Sequence, residues 1–156
     1  NGITVLLNGS SEAIVTINGG DNDTIKNIEN IIGTANNDDF TSDSQVNTFI
    51  GGAGIDIVRY DQDSVEATGV IVNLNNATAT ETVGGFEIED RILQIEDVVG
   101  SDYDDVFITK AAQTNKIDGG ESDTGRVEVN GDTLDYSTNG ATSLLLDLSG
   151  TTDADG

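Results

Sequence analysis

The sequence predicts an all-β fold built as a solenoid of short strands. Three observations predict it. Among 156 residues there are 16 Ile, 13 Val, 9 Leu and 4 Phe, and the 29 β-branched members of that set favour strands. Nineteen glycines and no proline punctuate the chain with turns. The chain also repeats itself at two periods, the signature of stacked units. The apolar residues make up about 27% of the chain, above the roughly 20% below which a highly charged chain stays disordered, so a core can form.

The long period is 67 residues. Gly2–Leu7 falls on Gly69–Leu74, Asp23–Gly33 on Asp90–Gly100, and Asn37–Phe40 on Asp104–Phe107. A third copy begins near Ser143–Leu148 and breaks off at Asp153-Ala154-Asp155-Gly156. The expected organisation is one continuous solenoid over 1–156, with units at about 1–67 and 68–140 and the start of a third at 141–156, a piece of a longer protein.

The elements follow in order. Ile3–Leu7 and Ala13–Ile17 read as strands, and Ile28–Ile32 as a short apolar segment entering the Gly33 turn. Three blocks of nine then follow: GTANNDDFT at 33–41, SDSQVNTFI at 42–50 and GGAGIDIVR at 51–59. Their sixth positions are Asp38, Asn47 and Asp56, and their eighth are Phe40, Phe49 and Val58. Each block predicts a turn of six residues and a strand of three with one inward apolar side chain. Two blocks make a coil, so Asp38 and Asp56, 18 apart, stack on one side. In the second unit Val70–Leu74 and Ile95–Val99 repeat the strands, and GSDYDDVFI at 100–108 places Asp105 sixth and Phe107 eighth. Asn115 and Ile117 take the roles of Asn47 and Phe49. The third block opens at Gly119-Gly120-Glu121, is interrupted at 122–129, and resumes through Asn130–Tyr136 with Asp132 in the place of Asp56. The interruption predicts a projecting loop or hairpin. Leu144–Leu148 reads as the last strand.

The formal net charge is −23, with no His and no Cys. Ser-His-Asp and Cys-His catalysis, a zinc finger, a haem ligand and disulfides are excluded. Coulomb repulsion opposes nucleic acid and anionic lipid, and no apolar run is long enough to span a bilayer. No signal peptide stands at the start. Gly51–Arg59 fits the nonapeptide G-G-x-G-x-D-x-U-x, where U is a large apolar residue, the pattern of calcium-binding parallel β-helix repeats. Calcium takes about 6–8 oxygen ligands, so the pattern needs glycines that aim carbonyls inward and an Asp that supplies charge. The best site is expected between the turns Gly33–Asp38 and Gly51–Asp56, from the carboxylates of Asp38 and Asp56 and the carbonyls of Gly33, Ala35, Gly52 and Gly54. The second unit's site would use Asp105 and Asp132 with carbonyls near Gly100 and Gly120. Gly19–Asp23 resembles a block start lacking one residue and makes Asp23 a further candidate, with Gly84–Asp90 as its counterpart. Ser42–Asn47 lacks the glycines and predicts a poor calcium turn.

Ile28–Asp38, followed by Asn47–Asp56, resembles the hemolysin-type (RTX) calcium-binding repeats of secreted bacterial proteins. The Gly69–Leu74 strand ahead of an Ile-Glu-Asp segment is similar to units of large RTX adhesins and S-layer-like proteins. The resemblance covers most of 20–60 and 85–136. It implies a right-handed parallel β-roll or β-helix, here with longer strands and an inserted loop, calcium-driven folding outside the cell and type I secretion. The expected function is a calcium-binding structural module. The alternatives are a calcium-dependent adhesion or self-assembly module contacting other copies or cell-surface carbohydrate, a cadherin-like sandwich for which 67 residues is short, and a polysaccharide-active enzyme. The enzyme is disfavoured because the acidic residues recur in register with the repeat, whereas one active site would break it.

Overall fold

Nine-residue blocks with one inward apolar side chain become short strands joined by tight turns. The computed structural model describes residues 1–61, 68–111, 113–120 and 131–137. In chain order the strands among the described residues are β1 (Ile3–Leu6), β2 (Ala13–Ile17), β3 (Asp23–Ile25), β4 (Asn30–Ile32), β5 (Asp39–Thr41), β6 (Thr48–Ile50), β7 (Ile57–Arg59), β8 (Ile71–Asn73), β9 (Thr78–Val83), β10 (Phe86–Leu93), β11 (Asp97–Val99), β12 (Val106–Ile108), β13 (Ile117–Asp118) and β14 (Thr133–Asp135). They form two seven-stranded mixed sheets, ordered β13-β11-β7-β5-β1-β2-β3 and β14-β12-β8-β9-β10-β6-β4.

From β4 to β7 successive strands alternate between the sheets. β5 lies parallel to β7 with Phe40 beside Val58, and β4 parallel to β6 with Ile31 beside Phe49, each an 18-residue offset. The 67-residue period is equally visible. β1 pairs β5 through Thr4 and Asp39, and β8 pairs β12 through Ile71 and Val106, an offset of 35 in both. The two units exchange sheets: β1, β5 and β7 lie in the first, and their counterparts β8, β12 and β14 in the second. The units join where β6 meets β10 and β7 meets β11.

The sheets are not purely parallel. β1-β2-β3 and β8-β9-β10 are antiparallel meanders. Gly84 and Gly85, at φ 59° and 85°, form a two-residue turn between the paired Val83 and Phe86. Two positive-φ residues match the twist of a hairpin, which glycine adopts without a steric penalty. The turn after Gly19 likewise closes the β2–β3 hairpin.

Inward residues of both sheets meet in one core. Val5, Phe40, Val58 and Val98 come from the first sheet, and Phe49, Val72, Ile92 and Phe107 from the second. Phe40 and Phe49 stack across the interface with ring centroids 5.5 Å apart. The predicted insertion at 122–129 and the strand at 144–148 lie outside the described residues. Among the described residues no helix is long and apolar enough to cross a membrane.

Candidate metal centre

Each unit holds the same carboxylate staple. Asp38 is buried at the entry to β5. Its Oδ1 accepts from the Ile3 amide at 2.7 Å and the Thr34 hydroxyl at 3.0 Å, and its Oδ2 accepts from the Thr34 amide at 2.5 Å. Sixty-seven residues on, Asp105 Oδ1 accepts from the Val70 amide at 2.6 Å and the Ser101 hydroxyl at 2.8 Å, and Oδ2 from the Ser101 amide at 2.7 Å. The next carboxylate takes the amide of the first. Asp38 N–H donates to Asp56 Oδ1, and Asp105 N–H to Asp132 Oδ1, both at 2.9 Å. Asp56 N–H in turn donates to Glu96 Oε2 at 3.1 Å. Both predicted pairs are thus brought together, as rungs of a ladder.

The glycines let the turns stack backbone on backbone. A Cβ at Gly33 would meet the Asp38 carboxylate and, at 2.5 Å, the Gly51 carbonyl. At Gly51 it would collide with the Asp56 carboxylate and the Gln94 carbonyl, at Gly52 with the Thr34 carbonyl, and at Gly54 with the backbone of Asn36 and Asn37. Gly100 faces Asp105 and the Gly119 carbonyl, and Gly120 faces the carbonyls of Gly100 and Ser101. Ala35 is exposed. The Gly52 carbonyl accepts from Gln94 Nε2 at 3.1 Å.

The donor set fits a hard cation. Asp56 is fully buried, and its Oδ2 is buried without a hydrogen-bond partner. Burial, and after it the charges of Asp38 and Glu96, raises its pKa against the lowering effect of the Asp38 amide. Burial likewise pushes Asp105 up to about 6 and raises Asp132, where Asp104 and Asp118 add repulsion. Among the described residues the ion pair is Arg59–Asp39, apart from these carboxylates, and around Gly33 and Gly100 the Asp38 and Asp105 carboxylates lie near the Gly51 and Gly119 carbonyls, oxygen donors of the type calcium takes. Among the described residues no group of three or more His, Cys, Asp or Glu side chains converges as a metal cluster.

Asp23 stands elsewhere. It is exposed in β3, and the register Asp23–Val15–Val5–Phe40 puts it three strands from β5, about 14 Å at ~4.8 Å per strand. Its 67-residue counterpart Asp90 is buried, a feature the sequence reading did not single out. Asp90 Oδ1 accepts from the Asn47 amide at 2.7 Å, and Oδ2 from the Ser42 hydroxyl at 2.7 Å and the Tyr60 hydroxyl at 3.3 Å. Burial lifts its carboxyl to about 6 despite these bonds, and nearby Asp43 adds to the rise. Glu96, counterpart of Glu29, is not among the candidates the blocks of nine mark, whereas Asp90 closes the candidate turn Gly84–Asp90; the offset that pairs Asp23 with Asp90 picks out both. The chain matches no protein-family model and no curated protein.

Proposed function

We propose that the chain is a calcium-binding structural module of an extracellular, RTX-like protein. In this reading the two sheets are the walls of a β-roll, and calcium binds between the stacked turns 33–38 and 51–56, and in the second unit between the turn 100–105 and the residues Gly119, Gly120 and Asp132. The observation that carries it is Asp56, a fully buried carboxylate with one oxygen lacking a donor, in a glycine turn whose Gly51 carbonyl lies against Gly33 of the neighbouring turn. A buried, unpaired carboxylate is costly unless a cation or a proton compensates it. Calcium bound only by the folded state adds its binding free energy to folding. The acids follow the repeat, which supports a structural role over catalysis. In excess chelator the β-sheet circular dichroism should fall, and calcium should restore it; a spectrum indifferent to chelator overturns the proposal.

A second reading, self-assembly, has its own support. β13 and β14 correspond to β6 and β7, and β3 and β4 to β10 and β11, the strands that join the two units. Among the described residues these four are sheet edges, and Ile32 on β4 is 74% exposed. Unpaired edges template pairing with another chain. Sedimentation with and without calcium tests it: a monomer in both conditions removes this reading.

A further inference from the structure

The turn that lacks glycines closes in a different way. Within block 42–50, Asn47 is buried, and its amide nitrogen Nδ2 is surrounded by oxygens of its own turn. It donates to Ser42 Oγ and Asp43 Oδ1 at 3.0 Å, to the Gln45 carbonyl at 2.9 Å and to the Asp43 carbonyl at 3.4 Å. Asp43 and Gln45 occupy the second and fourth places of their block, the places of Gly52 and Gly54 in block 51–59. Rotating the amide would put Oδ1 against four oxygens, so Nδ2 is the atom that belongs there. Oδ1 is left buried without a hydrogen-bond partner.

We infer that Asn47 is the residue that makes this turn independent of calcium: its amide nitrogen gathers the oxygens that a cation would gather in the glycine turns. Asp at the sixth place supplies a charge that a cation must balance; Asn at the same place supplies the donor itself. The sixth residue therefore decides whether this turn needs a cation. The inference rests on the calcium reading only for the glycine turns, because the closure of block 42–50 is seen directly in its hydrogen bonds. An Asp at position 47 would turn an oxygen toward those four oxygens, next to the charge of Asp43 and near Asp90, and a cation would relieve the repulsion.

Calorimetric calcium titration and urea unfolding of Asn47→Asp, Asn47→Ser and the unchanged chain test this. Asn47→Asp should bind one more calcium per chain than the unchanged protein and unfold at lower urea in chelator, with calcium restoring the loss. Asn47→Ser should keep the ion count and lose the same stability in calcium and in chelator. An Asn47→Asp chain that gains no ion, or that does not fold even in calcium, overturns the inference, as does a lower ion count in Asn47→Ser. If the unchanged chain binds no calcium while Asn47→Asp binds one, the proposed function fails and the inference stands.

Discussion

Asp38 and Asp105 each tie a turn to the strand above it. Removing Asp38 as Asp38→Ala takes the acceptor from the Ile3 amide and from both the amide and hydroxyl of Thr34. Part-buried donors left unsatisfied cost about 1–3 kcal/mol each at most. The expected loss is about 2–3 kcal/mol in urea unfolding in chelator, and larger in calcium, where Asp38→Ala also removes a ligand of the proposed site; a loss under about 0.5 kcal/mol in chelator would mean the staple is idle. Asp90 gives a pH signature. Its carboxyl rises from 3.8 to about 6 on folding, so the folded state holds the proton more tightly than the unfolded chain. The stability this contributes is full below about 3.8 and is lost as pH rises through about 6. In chelator, the stability difference between the unchanged protein and Asp90→Asn should therefore shift in favour of Asn by on the order of 2 kcal/mol between pH 4 and pH 7. A pH-independent difference would show that Asp90 does not titrate with folding.

Among the elements, stacked turns tolerate change far less than hairpin tips do. A Cβ at Gly33 would strike the Asp38 carboxylate and the Gly51 carbonyl, and no rotamer change can move a backbone carbonyl aside. Gly33→Ala should cost about 1–3 kcal/mol by overpacking. At Gly84 a Cβ meets nothing within 4 Å, and only the positive φ of 59° is strained, so Gly84→Ala should cost no more than ~1 kcal/mol. Thermal unfolding of the two variants compares them; an equal loss would mean the turns are not tightly stacked. The same contrast explains what was legible in the sequence. The strands at β5, β6, β7 and β12 follow from a nine-residue phase with Phe40, Phe49, Val58 and Phe107 at fixed positions, because each strand is only three residues long and must bury that one side chain. The hairpins were harder to read. Gly84-Gly85 carries a hairpin signal and a calcium-turn signal at once, because glycine pairs open both kinds of turn. Asp23 and Asp90 share one sequence signal and differ in burial, since β3 ends a sheet while β10 lies between β9 and β6. No local pattern encodes which copy sits at an edge. Glu96 escaped notice for a related reason: its contact with Asp56 is made across 40 residues of sequence.

For the whole molecule the governing quantity is the charge of −23. Acidic groups stacked along the turns, such as Asp38, Asp56 and Glu96, repel one another in the folded chain, and Arg59, paired with Asp39 at 2.8 Å, offsets little of that repulsion. Two bound calcium ions, at two charges each, would bring −23 only to −19, so most of the charge remains. Two effects of added salt must then be separated. Any salt screens surface repulsion over a Debye length of about 10 Å at 0.1 M. Only a site of matching size and flexibility distinguishes calcium from magnesium, which demands near-ideal octahedral geometry and gives up water reluctantly. The proposed site between the turns would take calcium, whose geometry need not be octahedral. Starting from chelated protein, calcium well below the salt concentration should restore the β-sheet spectrum and raise the unfolding temperature. Magnesium at the same ionic strength should recover only the smaller gain that sodium chloride gives. Equal recovery by all three would show that screening of the −23 charge, and no site between the turns, holds the fold together.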